Sequence, residues 1–250
     1  MTPLPRIVQA ETLDGLAEDD PDAMRSRRDL RRVHRIMGTC SILSRILRAW
    51  TLPGAGARTL RVLELGAGDG SLMLRVARVM APRWPRVELT LLDRQALVDA
   101  VTLRRYAGLG WSASSTRMDV MDWAAASHGS AGAGDSGPRW DAIVANLFLH
   151  HFQERELRGL LRAVAARCDR FVACEPRRAR PALLAAHLIG AIGANAVTRE
   201  DAVLSVHAGF RGRELSALWP AGESAWTLGE EPAGAFSHCF HAVRAGAGAG

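Results

Sequence analysis

The fold is decided by the stretch Arg61-Val62-Leu63-Glu64-Leu65-Gly66-Ala67-Gly68-Asp69-Gly70-Ser71. A short apolar run includes an acid and is followed by three glycines at alternate positions, and residues 72–80 then carry apolar side chains at helical spacing. This pattern predicts a strand, a tight turn and a helix. Glycines let such a turn bend sharply and let a ligand lie against its backbone, while the free N–H groups of the helix start face that ligand.

The spacing of the glycines distinguishes two kinds of ligand. A dinucleotide fingerprint has its third glycine one residue later, so that a pyrophosphate sits on the helix N-terminus, and here that position is Ser71. The pattern Gly-x-Gly-x-Gly, preceded by an acid, resembles motif I of the class I S-adenosylmethionine-dependent methyltransferases; taken alone, it also fits a structural turn or a nucleotide site. The resemblance implies S-adenosyl-L-methionine as cofactor, contacted by Glu64, Gly66, Ala67, Gly68 and Gly70.

Length and composition narrow the class of protein. A chain of 250 residues can bury one sizeable core. No apolar run is long enough to cross a bilayer and no signal-peptide core is present, so we expect a cytoplasmic protein.

The four cysteines have neither metal-ligand nor paired spacing. All 32 basic residues are arginine, which indicates biased coding composition, and aromatic residues are only 6%. Nucleic acid is therefore not expected as the substrate, despite a net charge of +6.

Two acidic positions follow predicted strands. Residues 87–92 form a near-continuous apolar run typical of a buried parallel strand, and this run ends at Asp93. The resemblance implies that Asp93, with its neighbour Arg94, contacts the ribose of the cofactor; the alternative is an acid that caps the next helix, predicted over 95–105. After a weaker strand candidate at 111–117, the resemblance assigns the adenine contact to Asp119 and Val120. Asp122 is a competing acid that fits a helix start equally well.

The run at 140–152 carries the second motif. Its strand ends at Asn146-Leu147, and Leu149-His150-His151 resembles the ending found in many small-molecule methyltransferases, including the ubiquinone and menaquinone type. The resemblance places Asn146 and Leu147 beside the methyl donor and makes His151, then His150, the candidate general base. Such histidines also often only pack or bond a backbone carbonyl. No metal site is expected, because no third ligand stands at a fixed offset.

The fifth predicted strand, 170–175, ends at Glu175, and the Glu-Pro sequence there is another feature of the family. Glu175 is the third candidate catalytic residue. The arginines that follow, Arg177, Arg178 and Arg180, suit either an anionic acceptor or a solvated helix start, and we favour the second interpretation. Farther on, Thr198 with Asp201 fits a helix start, and Gly209-Phe210 matches the pair that precedes the closing hairpin of the family, predicted from residues 226–228 and 236–243.

These elements predict an α/β fold: a Rossmann-like seven-stranded class I methyltransferase sheet with helices on both faces and an N-terminal helical addition. We expect an N-terminal arm and helical cap at 1–58, a domain that binds S-adenosylmethionine at 59–244 and a flexible tail at 245–250.

Within the first part, residues 1–23 show no hydrophobic periodicity and are expected to be loosely held. Residues 24–50 predict a helix broken near Gly38-Thr39, which either only covers the sheet or forms a wall of the substrate pocket. A turn at 52–56 and a flexible insertion at 127–138 complete the assignment.

The expected activity is methyl transfer from S-adenosylmethionine to a small molecule with a phenolic, quinol or polyketide-derived ring, and a lipid-like acceptor is compatible with the apolar run at 147–149. The sequence leaves two other classes of function open. An NAD(P)-linked oxidoreductase is disfavoured by Ser71, and a non-catalytic binding or scaffold protein would be expected to lose glycines that this chain retains.

Overall fold

The computed structural model describes residues 4–50, 58–126, 139–221 and 225–246. These residues form a seven-stranded sheet, as predicted, and its strand order is β3-β2-β1-β4-β5-β7-β6. The strands are β1 (Leu60–Leu65), β2 (Val87–Asp93), β3 (Trp111–Arg117), β4 (Ala142–Asn146), β5 (Arg170–Pro176), β6 (Trp226–Ala233) and β7 (Ser237–Arg244). The first five are parallel, and β7 pairs antiparallel with both β5 and β6.

The helices lie on both faces of this sheet and at one edge of it. The α-helices of the described residues are α1 (Thr12–Gly15), α2 (Pro21–Ile36), α3 (Thr39–Ala49), α4 (Ser71–Met80), α5 (Ala100–Ala107), α6 (Val120–Ala125), α7 (Glu154–Arg167), α8 (Arg180–Leu188), α9 (Ala196–Ala208) and α10 (Glu214–Leu218). Short 3₁₀ turns occupy Leu149–His151 and Ile189–Ile192. None of these helices has both the length and the apolar character needed to cross a bilayer.

Strand β1 shows how the sheet is buried on both faces. Successive side chains of a strand point to opposite faces. Leu60 and Val62 pack into a core with α3, α4 and α5, whereas Leu63 and Leu65 pack into a second core with α6, α7 and α10. Since β1 pairs with β2 on one side and β4 on the other, the chain reverses its direction of winding there. In such sheets the carboxyl ends of the strands at this point form the ligand crevice.

The break between the N-terminal helices lies where the sequence predicts it. Gly38 separates α2 from α3 and has a φ of 69°, a left-handed conformation that glycine adopts without a steric penalty. Leu43 and Leu47 of α3 are fully buried in the core against α4. Helix α3 is therefore an integral part of the fold, while α2 continues over the carboxyl edge of the sheet.

Two local predictions differ from the structure, and three others fall on residues that it does not describe. The helix predicted over 95–105 begins only at Ala100, because Asp99 rather than Asp93 caps it by accepting a hydrogen bond from the Thr102 N–H. Helix α9 begins before Thr198, with Asn195 as its N-cap, so Thr198 and Asp201 do not mark its start. The turn at 52–56, the insertion at 127–138 and the last four residues of the tail lie outside the described residues.

Candidate active site at the carboxyl edge of the sheet

The glycine turn after β1 has a backbone that only glycine accommodates well. Gly66, Gly68 and Gly70 have φ values of 68°, 55° and 69°. A Cβ on Gly66 would lie 2.3 Å from the Phe148 ring, so this glycine allows the loop after β4 to pack on the turn. A Cβ on Gly68 would meet nothing within 4 Å among the described residues. The turn is thus closed at its first glycine and open to a ligand at its second.

Carboxylates converge beside this turn. Glu64 is fully buried, and burial, reinforced by the nearby charges of Asp69 and Asp93, raises the pKa of Glu64 well above its usual range. Asp93 accepts hydrogen bonds from the Gly68 N–H at 2.8 Å and from the Gln95 N–H at 2.9 Å. Asp69 forms an ion pair with Arg31 at 3.1 Å. Acidic groups therefore lie directly at the turn, while arginines of α2 and α5 line the pocket beside Asp69 and Ser71.

Two acceptor atoms in this cleft are buried without a hydrogen-bond partner among the described residues. They are Oε2 of Glu64 and Oδ1 of Asn146, at the ends of the paired strands β1 and β4. A buried polar atom without a partner costs about 1–3 kcal/mol, more when charged. Each of these atoms can accept a further hydrogen bond from a donor that reaches it.

The other residues predicted to contact the cofactor lie along the same edge. Asp119 is the N-cap of α6, where Oδ1 accepts from the Met121 N–H at 2.7 Å, and Val120 is buried behind it. Asp122 lies in the first turn of α6, as the competing interpretation required. The Arg94 guanidinium is held by the N-terminal arm, through the backbone oxygen and the carboxylate of Asp14.

The loop after β4 is fixed by a buried carboxylate. Leu147 has a φ of 47°, the only positive value for a residue other than glycine in the described chain, and a strained backbone of this kind costs of order 1–3 kcal/mol. Glu175 is fully buried and accepts hydrogen bonds from the backbone N–H groups of Phe148 and Leu149 at 3.0–3.2 Å. These bonds hold the loop in its strained conformation and leave the Glu175 side chain without exposed surface.

The two histidines of the loop have different surroundings. His150 is buried between Glu175, 2.8 Å from its Nδ1, and Glu11, 3.2 Å from its Nε2. Burial alone lowers the pKa of His150, but the hydrogen bonds to Glu11 and Glu175 outweigh it and raise that pKa to about 9. His151 is 22% exposed, and its Nδ1 lies 3.2 Å from Oδ2 of Asp14. A carboxylate on one ring nitrogen orients a histidine and leaves its second nitrogen available as a base.

The N-terminal arm, residues 4–18, is not loosely held as the sequence predicts. Arg6 donates to the backbone oxygens of Ala208 and Phe152 at 2.8 and 3.0 Å. The N–H groups of Thr12 and Leu13 donate to the two carboxylate oxygens of Asp201 at 2.7 and 2.9 Å. The prediction of a loose arm is therefore wrong for these residues, which lie across the loop after β4 and helix α9.

Beneath the arm lies an apolar cavity of about 320 Å³. It is bounded by α2, α8 and α9, and Leu147 at the end of β4 reaches it. Both charged side chains that line it in the described chain, Glu11 and Asp201, are acidic. Helix α2 supplies Leu30, Val33 and Ile36 to the lining, which favours the pocket-wall interpretation of the N-terminal helices over a mere cover.

The arginines after β5 do not line this cavity. Arg178 is buried and bonds the backbone oxygens of Leu4 and Gly209 and the carboxylate of Glu214. Arg177 reaches the backbone oxygen of Gly234, and Arg180 is exposed at the start of α8. The favoured interpretation of a solvated helix start therefore fits Arg180 and is wrong for Arg178, which is buried in a hydrogen-bonded network before α8.

Glu11, Asp14 and Asp201 are site residues that sequence reasoning missed. Glu11 and Asp14 belong to a segment with no periodicity, and Asp201 was assigned to a helix start. Their partners are distant in the chain: Glu11 contacts His150 and Ser205, and Asp14 contacts Arg94. No local signal could have shown these pairings.

The chain matches no protein-family model and no curated protein sequence. Solved structures do resemble it. An O-methyltransferase family protein from Burkholderia thailandensis aligns with a TM-score of 0.57 and 17% identity, over 88% of this chain and 59% of that protein. Magnesium protoporphyrin IX methyltransferase from Synechocystis PCC 6803, solved with bound SAM, aligns with a TM-score of 0.51 and 14% identity, over 94% and 88%.

The pyocyanin biosynthetic protein PhzM aligns with a TM-score of 0.50 and 16% identity, over 81% of this chain and 54% of that one. This chain thus spans little more than half the length of two of these three structures. At such identities the likeness concerns the fold, and the protein has the Rossmann-like class I methyltransferase fold.

Proposed function

We propose that the protein transfers a methyl group from S-adenosylmethionine to a small, largely apolar acceptor that is neutral or cationic. The observation that carries this proposal is the pair of buried acceptor atoms, Oε2 of Glu64 and Oδ1 of Asn146, beside an open glycine turn. S-adenosylmethionine brings an ammonium and a sulfonium to a cleft where carboxylates converge. The oxidoreductase alternative is disfavoured because Ser71 occupies the position at which a dinucleotide fingerprint has its third glycine.

The donor site that we propose follows the carboxyl edge of the sheet. The glycine turn receives the amino-acid moiety, with Gly68 open to it, and Glu64 and Asn146 accept from its ammonium. Asp93 retains acceptor capacity for the ribose hydroxyls, because a carboxylate has about four lone-pair sites. Asp119 and Val120 lie where the adenine would end. Within this assignment, residues 1–58 form the cover of the site and residues 59–244 the domain that binds the cofactor.

The acceptor occupies the apolar cavity in this proposal. Leu147 lines the cavity and directly follows Asn146, so an acceptor there lies next to the donor. Because the charged lining is acidic, a phenol, a quinol or an amine suits the cavity better than a carboxylate or phosphate ester does. A phenolic, quinol or polyketide-derived ring remains the proposed acceptor class.

Chemically, the reaction is a displacement at the methyl carbon, so the protein mainly has to align the acceptor with the donor. A phenol, with a pKa near 10, must also lose its proton. His151, oriented by Asp14, is the base in this proposal. His150 and Glu175 act through position, since both ring nitrogens of His150 contact carboxylates, of Glu175 in β5 and Glu11 in the arm, and Glu175 accepts from the backbone of the loop.

The first test is calorimetry with S-adenosylmethionine and, separately, NADH. We expect binding of the former and none of the latter. Asp93→Ala should weaken donor binding by about 1–3 kcal/mol, the range for loss of a hydrogen-bond partner that carries charge. An exposed acid on the same strand, Glu88→Ala, is the matched control. Unchanged donor affinity in Asp93→Ala would contradict the ribose contact, and NADH binding would contradict the class of reaction.

The second test concerns the base and separates an enzyme from a scaffold. Turnover on a panel of phenols and quinols is followed as formation of S-adenosylhomocysteine. His151→Ala should lose about 10²–10⁴-fold in kcat, the usual contribution of a general base, and keep its donor affinity. A variant that keeps its rate would remove His151 from that role, and donor binding without turnover on any acceptor would support the scaffold alternative.

A further inference from the structure

Two imidazoles and a carboxylate converge where the N-terminal arm crosses the loop after β4. One ligand atom each from Glu11, His150 and His151 lies within 4.8 Å of the other two. Nε2 of His150 and Oε1 of Glu11 are 3.2 Å apart. Two ligands bound to one zinc ion at about 2.0–2.1 Å in a tetrahedron are about 3.3 Å apart. This pair already has the spacing of two ligands of one ion.

The orientation of His150 also fits a metal ligand. A metal-bound histidine commonly donates its other ring N–H to a carboxylate, which fixes the ring and its tautomer. Glu175 occupies that position, with Oε2 2.8 Å from Nδ1 of His150, and its side chain is fully buried. Since Glu175 is itself held by backbone N–H groups, the Nε2 atom of His150 is aimed at Glu11 by a rigid support.

The other two candidate ligands are supported in the same way. The Ser205 hydroxyl donates to Oε1 of Glu11, and the Glu11 side chain is only 12% exposed. Asp14 holds Nδ1 of His151, and the rings of His150 and His151 are 4.2 Å apart between centroids. The sequence shows no third ligand at a fixed offset because Glu11 lies 139 residues before His150.

We propose that Glu11, His150 and His151 bind a divalent first-row transition-metal ion, with Zn²⁺ as the reference case. Two imidazoles and one carboxylate are a ligand set that suits zinc and leaves a coordination position open. Because Glu11 also lines the apolar cavity, the open position is accessible to an oxygen or nitrogen atom of a small molecule bound there. Metal binding is measured by itself and does not rest on the proposed methyl transfer. An ion bound through His151 would occupy the ring nitrogen that the proposed function uses as a base, so the role as base belongs to the metal-free protein.

The test uses the full chain without a polyhistidine tag, stripped with a chelator, dialysed and titrated with CoCl₂. Cobalt bound by imidazoles at low coordination number absorbs visible light, so the spectrum reports the site without any measurement of activity. We expect one equivalent of Co²⁺ to bind and stoichiometric Zn²⁺ to displace it. Glu11→Gln and His151→Ala should each weaken Co²⁺ binding at least tenfold.

His187→Ala removes an exposed histidine of α8 and is the matched control, with unchanged Co²⁺ binding expected. A melting curve and S-adenosylmethionine calorimetry on each variant show whether it is folded. Absence of a visible band in the wild-type protein, or equal loss of binding in His187→Ala, would overturn the proposal and leave His150 as an imidazolium between two carboxylates. Intact donor binding in that case would leave the proposed function standing.

Discussion

The buried carboxylate of Glu64 destabilises the ligand-free protein. It is buried at the end of β1, one of its oxygens has no hydrogen-bond partner among the described residues, and its pKa is raised by burial and by neighbouring acids. A buried, unpaired charge is costly. A cationic ligand would offset this cost, so the residue links ligand binding to the stability of the fold.

Glu64→Gln should therefore stabilise the ligand-free protein above acidic pH. A carboxyl whose pKa is raised in the folded state favours folding only while it is protonated, so the wild type loses stability as the pH rises from the ordinary value of 4.5. The glutamine does not titrate. Melting temperatures should be similar near pH 4 and should diverge toward pH 8, with the variant the more stable. A variant less stable than the wild type at pH 8 would contradict this account.

Glu64→Gln should also weaken the binding of S-adenosylmethionine. Loss of a charged acceptor for the ammonium costs about 1.5–3 kcal/mol, which corresponds to roughly 10–100-fold in Kd. The rise in melting temperature on adding S-adenosylmethionine should accordingly be smaller in Glu64→Gln than in the wild type. Glu88→Gln, on the exposed face of β2, is the control and should change neither quantity.

At the scale of elements, the sequence predicts those parts whose signal is local. Strand β2 is a continuous apolar run, and α2 and α3 follow a helical period that breaks at Gly38, where φ is positive. The acidic ends of β2 and β5 could be placed at one edge because parallel strands end together. The docking of the arm could not be predicted, because Glu11 and Asp14 contact residues that are distant in the chain and come close only in the complete fold.

The docking of the arm depends on one carboxylate of α9. Asp201 accepts from two successive backbone N–H groups of the arm, and hydrogen bonds to a charged group contribute about 1.5–3 kcal/mol each. Asp201→Ala should thus raise hydrogen exchange in peptides that cover residues 8–18 by at least tenfold. Glu200→Ala, an exposed acid one residue earlier on the same helix, should leave this exchange unchanged. Equal protection in both variants would show that other contacts hold the arm.

At the scale of the whole molecule, the N-terminal helices have two tasks that a truncation cannot separate. Helix α3 completes a core of the sheet through Leu43 and Leu47, whereas α2 lines the apolar cavity. A deletion of residues 1–50 would expose the face of α4 that these leucines cover, so the remaining chain is not expected to fold. The role of α2 is better tested by replacing one of its cavity-lining residues with a larger side chain.

Val33 of α2 faces the cavity, and Val33→Trp should fill a large part of its 320 Å³ without touching the glycine turn. We expect a neutral apolar probe, N-phenyl-1-naphthylamine, to bind the wild-type protein and to lose about tenfold or more in affinity in the variant, since a ring-sized part of the buried apolar surface is lost. S-adenosylmethionine affinity should stay within about twofold, below 0.5 kcal/mol. Arg35→Trp adds the same side chain at an exposed position of α2 and should change neither affinity. If Val33→Trp folds and binds the probe like the wild type, the acceptor does not enter between α2, α8 and α9. If the variant loses affinity for both the probe and the donor, the cavity and the cofactor cleft are one space. The acceptor then lies closer to Glu64 than we propose.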